Sequence, residues 1–162
     1  MSRDMRPQEP AAATPSRLWT VAEANARLAT LEPLLEQLRV WAVRLHEVHA
    51  ELRRLTGFWG SEIDAPDHAD HHLKERLEAE WKNLSRRLDE SIEALRAEAI
   101  EVKDLREGLV DFYTIADDTL AYLCWRRGEP AVAFYHSLDG GFRSRRPVAA
   151  AERPSTASTR SP

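Results

Sequence analysis

His136 is the residue of this chain best placed to do chemistry. It ends a run of β-forming residues, and Ser137, Asp139 and two glycines follow it. Four of the acidic residues in the C-terminal half of the chain can converge on it if the chain folds back: Glu101, Asp104, Asp111 and Glu129. An imidazole with two or three carboxylates suits zinc, manganese or iron, and the same groups suit proton transfer.

The metal hypothesis places a divalent ion, zinc, manganese or iron, on His136, Asp111 and Glu129. Around His136 there is no compact ligand spacing such as His-Glu-x-x-His. A structural histidine that hydrogen-bonds a buried aspartate is therefore the favoured interpretation. Asn25 lies in the first turn of a predicted helix, and we expect its amide to bond the C-terminal segment. With Glu101, Asp104 and Asp139, it completes the predicted polar cluster.

Other histidines and the single cysteine are weaker candidates. His68 and His72 are four residues apart, with His71 beside them, and share a face if the segment is helical. A solvated helix start is the favoured interpretation of this cluster. His49 falls on a core-like helical position. Cys124, between tyrosines on a predicted strand, is expected to be a buried and inert thiol.

The segment 140–147 is glycine-rich and basic, with one aromatic residue. It can bind an anion through its arginines Arg143, Arg145 and Arg146. It lacks the Gly-Lys-Ser/Thr element of a phosphate-binding loop. A solvated loop is therefore favoured over a phosphate site.

Two long helices must position these groups. Thr20 and Glu23 form a capping-box pattern that opens a helix over about 20–55. Apolar residues then recur at spacings of three and four, with a second apolar stripe beside them, so the face is wider than a two-stranded coiled-coil seam. A turn over 57–66 leads to a second helix over about 67–99.

A β-hairpin over about 119–136 follows, with a tight turn at Arg127 and Gly128. This turn pairs Leu123 with Val132 and places His136 on the face of Leu123. The predicted fold is mainly α: a long antiparallel helical hairpin, coiled-coil-like, capped by this small C-terminal β-hairpin. Residues 18–147 form one domain, and 1–17 and 148–162 are predicted to be disordered tails.

The composition of the chain limits the classes of function that it can have. The net charge is −4 and the pI about 5.9, so nucleic-acid binding is disfavoured. A single cysteine suits a reducing compartment. The sequence has no apolar run of membrane-spanning length and no apolar core near its start. A cytoplasmic protein that does not bind membranes is expected.

Short motifs, one at the start of the first helix and the rest in the C-terminal half, resemble one bacterial family, the domain of unknown function 2203. The matching blocks are Thr-Val-Ala-Glu-Ala-Asn at 20–25, Val-Lys-Asp at 102–104, Gly-Leu-Val-Asp-Phe at 108–112, Leu-Cys-Trp at 123–125, Gly-Glu at 128–129, Tyr-His at 135–136 and Gly-Phe at 141–142. Trp19 and Tyr135 each replace another aromatic residue of the family pattern. The resemblance implies a helical hairpin with a compact C-terminal block. It does not indicate any particular activity.

The leading functional hypothesis is a non-catalytic interaction or scaffold protein. The wide apolar face of the first helix indicates a homo-oligomer or a complex with another protein. The alternative is a metal- or small-ligand-binding protein, which includes an enzyme, with its site around His136, Asp111 and Glu129.

Overall fold

The computed structural model describes residues 14–148. Helix α1, Val21–Trp59, continues through a short 3-10 segment, Gly60–Asp64, and helix α2 is His71–Ala97. Five strands follow: β1 (Ile100–Asp104), β2 (Leu109–Ala116), β3 (Thr119–Arg126), β4 (Phe134–Ser137) and β5 (Arg146–Pro147). They form one antiparallel sheet in the order β1-β2-β3-β4-β5, with a 3-10 turn, Phe142–Ser144, between β4 and β5.

The predicted capping box opens α1. The Thr20 hydroxyl accepts the Glu23 N–H at 3.2 Å, and the Glu23 carboxylate accepts the Thr20 N–H at 2.9 Å. These bonds satisfy two of the N–H groups that the first turn of a helix leaves unpaired. The local signal therefore places the start of α1 correctly.

The two helices run antiparallel and are bridged by two ion pairs, one near the start of α1 and one near its middle. Arg27 bonds Glu98 at 3.0 Å, and Arg44 bonds Glu80 at 2.6 Å, so residue numbers fall along α2 as they rise along the facing part of α1.

Among residues 14–148, neither helix is long and apolar enough to cross a membrane.

The prediction of a mainly α protein with a small C-terminal β-hairpin is wrong, because the C-terminal part is a five-stranded sheet. Residues 100–112, where the sequence favours an irregular or short extended segment, form β1 and the start of β2. In β2, polar Asp111 and Thr114 are buried beside Val110 and Phe112. With both faces covered, β2 has no alternation of apolar and polar residues to signal a strand.

The predicted register of the last hairpin is also wrong. Leu123 pairs with Tyr135, not with Val132, which is a shift of three residues. An odd shift moves every side chain of a strand to the opposite face. The cause is a longer loop, which Glu129 organises: its carboxylate accepts the Arg126 N–H at 2.9 Å.

The helix-side face of the sheet holds the hydrophobic core. Members of this core come from α1, α2 and the strands: Leu31, Leu35, Leu38, Leu95, Ile100, Val110, Phe112, Leu123, Trp125 and Tyr135. The N-terminal half of α1 therefore meets both α2 and the sheet, which accounts for much of its wide apolar face. His49, expected at a core position, is exposed.

The ends of the described region touch the domain. Of the predicted tail 1–17, the described residues include Ser16, whose hydroxyl donates to the Ala97 carbonyl at 2.7 Å. Of the predicted tail 148–162, Val148 donates its N–H to the Ala133 carbonyl at 2.9 Å. The remaining residues of both predicted tails, 1–13 and 149–162, lie outside the described residues.

Candidate metal centre

Three adjacent strands bring Asp111, Cys124 and His136 together on the sheet face that points away from the helices. Asp111 on β2 lies directly opposite Cys124 on β3. Tyr122, two residues before Cys124, pairs with His136 on β4, which makes His136 the diagonal neighbour of Cys124. One oxygen, one sulfur and one nitrogen from these side chains all lie within 4.8 Å of one another.

All three side chains are shielded from water. Asp111, Cys124 and His136 expose 2%, 1% and 3% of their surface. A carboxylate is rarely buried to this degree unless it is paired with a cation or a metal ion.

The hydrogen bonds of His136 determine which ring nitrogen is free. Nδ1 lies 2.8 Å from the Ser137 carbonyl, which can only accept, so Nδ1 carries a proton. In the neutral ring, Nε2 then carries a lone pair. Nε2 is 3.2 Å from Asp111 Oδ2 but makes no hydrogen bond. A lone pair facing a carboxylate calls for a proton or a cation between them.

The unsatisfied atoms concentrate here. Among residues 14–148, the buried side-chain polar atoms without a hydrogen bond are Asp111 Oδ1, His136 Nε2 and Arg127 Nη2. The Arg127 guanidinium still pairs with Glu36 through Nη1 at 3.5 Å. Each unsatisfied buried polar group costs about 1–3 kcal/mol, so two in one cluster mark a place where a partner belongs.

Cys124 is not an activated nucleophile in the metal-free protein. Burial, and after it the neighbouring Asp111 carboxyl, raise the pKa of its thiol to about 12, although Arg145 acts in the opposite direction. In a nucleophilic triad, the acid holds the histidine through one nitrogen and the nucleophile faces the other. Here a backbone carbonyl holds Nδ1 and Asp111 faces Nε2, so that relay is not built.

The segment 138–145 forms a roof over the cluster. Between the roof and the sheet lies a cavity of about 290 Å³. Two members of the cluster, Asp111 and His136, line it. The rest of its lining is aromatic, apolar and basic residues with two glycines: Lys103, Leu109, Tyr122, Leu138, Gly140, Gly141 and Phe142.

Arg145 fastens the roof. Its guanidinium bonds Glu129 at 2.7 Å and lies 3.6 Å from the centre of the Phe142 ring. The Arg145 and Glu129 side chains are 13% and 16% exposed, so this ion pair is shielded from solvent. Gly140 lets the roof approach the sheet, because a Cβ there would lie 3.0 Å from Ser137 Oγ and closer still to Ser144 Oγ.

The structure separates the predicted ligand Glu129 from the other two. Its carboxylate binds Arg145 and the Arg126 N–H, and the three-atom cluster contains Cys124 in its place. The prediction of a buried and inert thiol rested on the tyrosines near Cys124, and the wrong register placed Cys124 on the face opposite His136.

The other members of the predicted polar cluster have separate structural roles. Asn25 Oδ1 accepts the Val132 N–H at 2.8 Å, which ties the start of α1 to the C-terminal segment as expected. Asp104 accepts the N–H of Arg106 at 2.8 Å and shapes the β1–β2 turn. Glu101 lies opposite Asp111, with its carboxylate 3.8 Å from Arg96. Asp139 is exposed.

The histidines at the helical tip do not form a second centre. α2 begins at His71, so His68 precedes the helix and does not share a helix face with His72. His68 Nδ1 accepts the Asp70 N–H at 3.1 Å, and His71 Nδ1 lies 2.9 Å from the Ile63 carbonyl. These bonds hold the turn between the helices.

In the basic segment 140–147, ion pairs already occupy two of the three arginines. Arg145 binds Glu129 at 2.7 Å, and Arg146 binds Asp117 at 3.2 Å. Arg143 is exposed. The segment serves as the roof and as β5, an arrangement that does not gather its arginines around a phosphate.

Comparison with known proteins identifies a family without a described activity. No curated protein and no solved structure matches the chain. The model of the family described as "uncharacterized conserved protein (DUF2203)" matches residues 17–148, which is most of the chain. Each of the residues Asp111, Cys124 and His136 lies in a separate block of the motifs noted above. The chain belongs to the DUF2203 family.

Proposed function

We propose that this protein binds a divalent transition metal, zinc before the others, through the Asp111 carboxylate, the Cys124 thiolate and His136 Nε2. The observation that carries the proposal is the pair of buried, unbonded atoms of Asp111 and His136 beside a buried thiol. A metal ion among the three would satisfy all of them at once.

The donor set selects the metal. Carboxylate, imidazole and thiolate are the ligands of protein zinc sites, and a thiolate disfavours manganese. Metal-binding histidines usually donate their second ring nitrogen to a carbonyl or carboxylate, as His136 does to Ser137. Asp111 and a Cys124 thiolate supply two negative charges, which neutralise a divalent ion.

The geometry needs a small adjustment to bind zinc. Tetrahedral zinc with ordinary bond lengths holds neighbouring ligand atoms about 3.4–3.6 Å apart. The three atoms lie within 4.8 Å of one another, so they need to draw closer by no more than about 1.4 Å, within reach of side-chain rotation.

Three protein ligands leave one position of the metal open. Structural zinc sites usually have four protein ligands, whereas catalytic sites keep a position for water or substrate. Asp111 and His136 both line the roofed cavity, so the fourth position faces it. The centre therefore resembles the open type, where metal-bound water ionises near pH 7.

Metal analysis of the full-length, tag-free protein tests the proposal. We expect one zinc per chain, and a cobalt-loaded form that shows a thiolate-to-cobalt absorption band. Cys124→Ser and His136→Gln should each lose the metal and the band while keeping a folded circular dichroism spectrum.

The control is the triple variant His68→Ala/His71→Ala/His72→Ala, which removes the tip histidines and should keep the metal. Wild-type protein that stays metal-free after incubation with zinc would reduce the cluster to a structural Asp–His pair. Metal that disappears only in the triple variant would count as adventitious binding at the tip.

A second candidate function is self-association through the helices. Val40, Val43 and Trp81 expose 48%, 49% and 40% of their surface, although all three are large apolar residues. Val43 also lines a groove of about 730 Å³, together with Ala42, Leu105 and four charged or polar residues: Arg39, His46, Glu47 and Arg106. Exposed apolar side chains beside a groove favour a protein partner, for which a second copy is the simplest choice.

Equilibrium sedimentation decides this second candidate. A dimer that Val40→Glu/Val43→Glu converts to monomer would support it, and a wild-type monomer at micromolar concentration would exclude it.

A metal centre with a reduced cysteine also supports a cytoplasmic location, because thiols persist there.

A further inference from the structure

We infer that the roofed cavity binds a small monoanion, such as a short-chain carboxylate, that occupies the open metal position and pairs with Lys103. This inference rests on the proposed metal centre.

Charge balance around the cavity supports an anion. A divalent ion with the Asp111 carboxylate and a Cys124 thiolate is neutral overall. Lys103 lines the same cavity and forms no ion pair with a carboxylate among residues 14–148. Its ammonium lies 4.7 Å from the centre of the Tyr122 ring. The cavity with its metal therefore has one excess positive charge.

The neighbouring carboxylates are directed to arginines and not to Lys103. Glu129 is paired with Arg145 at 2.7 Å, and Glu101, on the same strand as Lys103, is 3.8 Å from Arg96, which also bonds Glu93. The Lys103 ammonium makes no ion pair among residues 14–148, so it is left for a ligand.

The size and walls of the cavity limit the ligand. A volume of about 290 Å³ is at the lower end of the range of small-molecule sites. Phe142 and Leu138 of the roof and Leu109 of β2 are apolar, while Tyr122 contributes a hydroxyl group. These walls suit a ligand with one anionic end, held between metal and lysine, and a short apolar body.

The test uses the cobalt-loaded, full-length chain titrated with acetate, and with the neutral analogue acetamide. Acetate should shift the cobalt absorption bands, and acetamide should not. Lys103→Met should weaken acetate binding by about tenfold, the loss typical of one charge-assisted contact, while Lys103→Arg retains most of it. Lys82→Met, a change at an exposed lysine of α2, should bind acetate like the wild type.

The outcomes separate the two proposals. Absence of the thiolate-to-cobalt band in the wild type overturns the metal centre and this inference with it. A normal band with acetate binding unchanged in Lys103→Met, or with equal binding of acetamide, overturns the anion site alone. A normal band that acetate does not shift also overturns the anion site and leaves the metal centre intact.

Discussion

Asp111→Asn separates a metal centre from a structural ion pair by the sign of its effect on stability. The substitution keeps the shape of the side chain and replaces a carboxylate oxygen with an N–H donor. His136 Nε2, which carries a lone pair when Nδ1 donates to Ser137, can accept from that new donor. In the metal-free protein the variant therefore gains a hydrogen bond and loses a buried charge.

The magnitude follows from the unsatisfied atoms. Asp111 Oδ1 and His136 Nε2 have no hydrogen bond, and relief of such a group contributes about 1–3 kcal/mol. We expect Asp111→Asn to raise the free energy of unfolding of the metal-free protein by that amount. If a charged His136 were instead paired with Asp111, removal of one partner would cost about 3–5 kcal/mol.

Zinc stabilises the wild type and not the variant, and so acts against the difference measured in chelator. At a free zinc concentration of 100 times Kd, binding stabilises the wild type by about 2.7 kcal/mol. For a domain of this size that is a rise in Tm of about 5–11 °C. Asp111→Asn, which lacks the anionic ligand, should show little or no rise.

Urea unfolding followed by circular dichroism measures both effects, once with a chelator and once with zinc. Asp89→Asn, an exposed change on α2, serves as a control with the same change in net charge. A variant destabilised by 3 kcal/mol or more in chelator, together with a wild type unaffected by zinc, would refute the metal reasoning and establish the ion pair.

Three further predictions test the roof, the hydrogen bond between Asn25 and Val132, and the Cys124 thiol. Gly140→Ala should weaken zinc binding, measured by isothermal titration calorimetry, because the new Cβ would lie 3.0 Å from Ser137 Oγ. Gly141→Ala should bind zinc like the wild type, because a Cβ at Gly141 would have no atom within 4 Å. Asn25→Ala should lower the free energy of unfolding by about 1–3 kcal/mol, since the Val132 N–H loses its acceptor; unchanged urea midpoints would contradict this. Cys124→Ser should reduce zinc affinity by more than about 100-fold, because the loss of a residue that only supports a metal ligand already costs up to about 100-fold. Equal zinc affinity in this variant would show that the Cys124 thiolate is not a ligand.

The helices were predictable because their signals are local. A capping box and apolar residues at spacings of three and four are read within one segment, and they located the start of α1 at Thr20. The length of the helices was less certain: α1 continues to Trp59, beyond the predicted end near residue 55. α2 begins at His71 rather than near 67, because the chain at His68 bonds back to the preceding turn.

The sheet was not predictable in the same way, because its patterns depend on what covers each face. β2 is buried on both sides, so polar Asp111 sits in a run that reads as irregular. One overlooked signal was Pro130. A proline cannot donate to a sheet ladder and is rarely found inside a central strand. The predicted pairing of Leu123 with Val132 would place Pro130 opposite Trp125, so Pro130 argues against that register. The longer loop that this implies gives the observed register.

That register explains why the site and the core depend on the same motifs. In Gly-Leu-Val-Asp-Phe, Phe112 faces the helices and Asp111 faces the roof. In Leu-Cys-Trp, Trp125 is buried in the core while Cys124 joins the cluster, and in Tyr-His the pattern repeats with Tyr135 and His136.

Neighbouring residues on a strand point to opposite faces, so large side chains packed on the helices hold the donor atoms on the other face. Ligands carried by packed strands are positioned more accurately than ligands on loops. A register slip of one residue would exchange the two sets, exposing the core and burying the donors among the helices. Fold and site therefore depend on one strand alignment, and residues that appear purely structural, such as Trp125, also determine where the metal ligands lie.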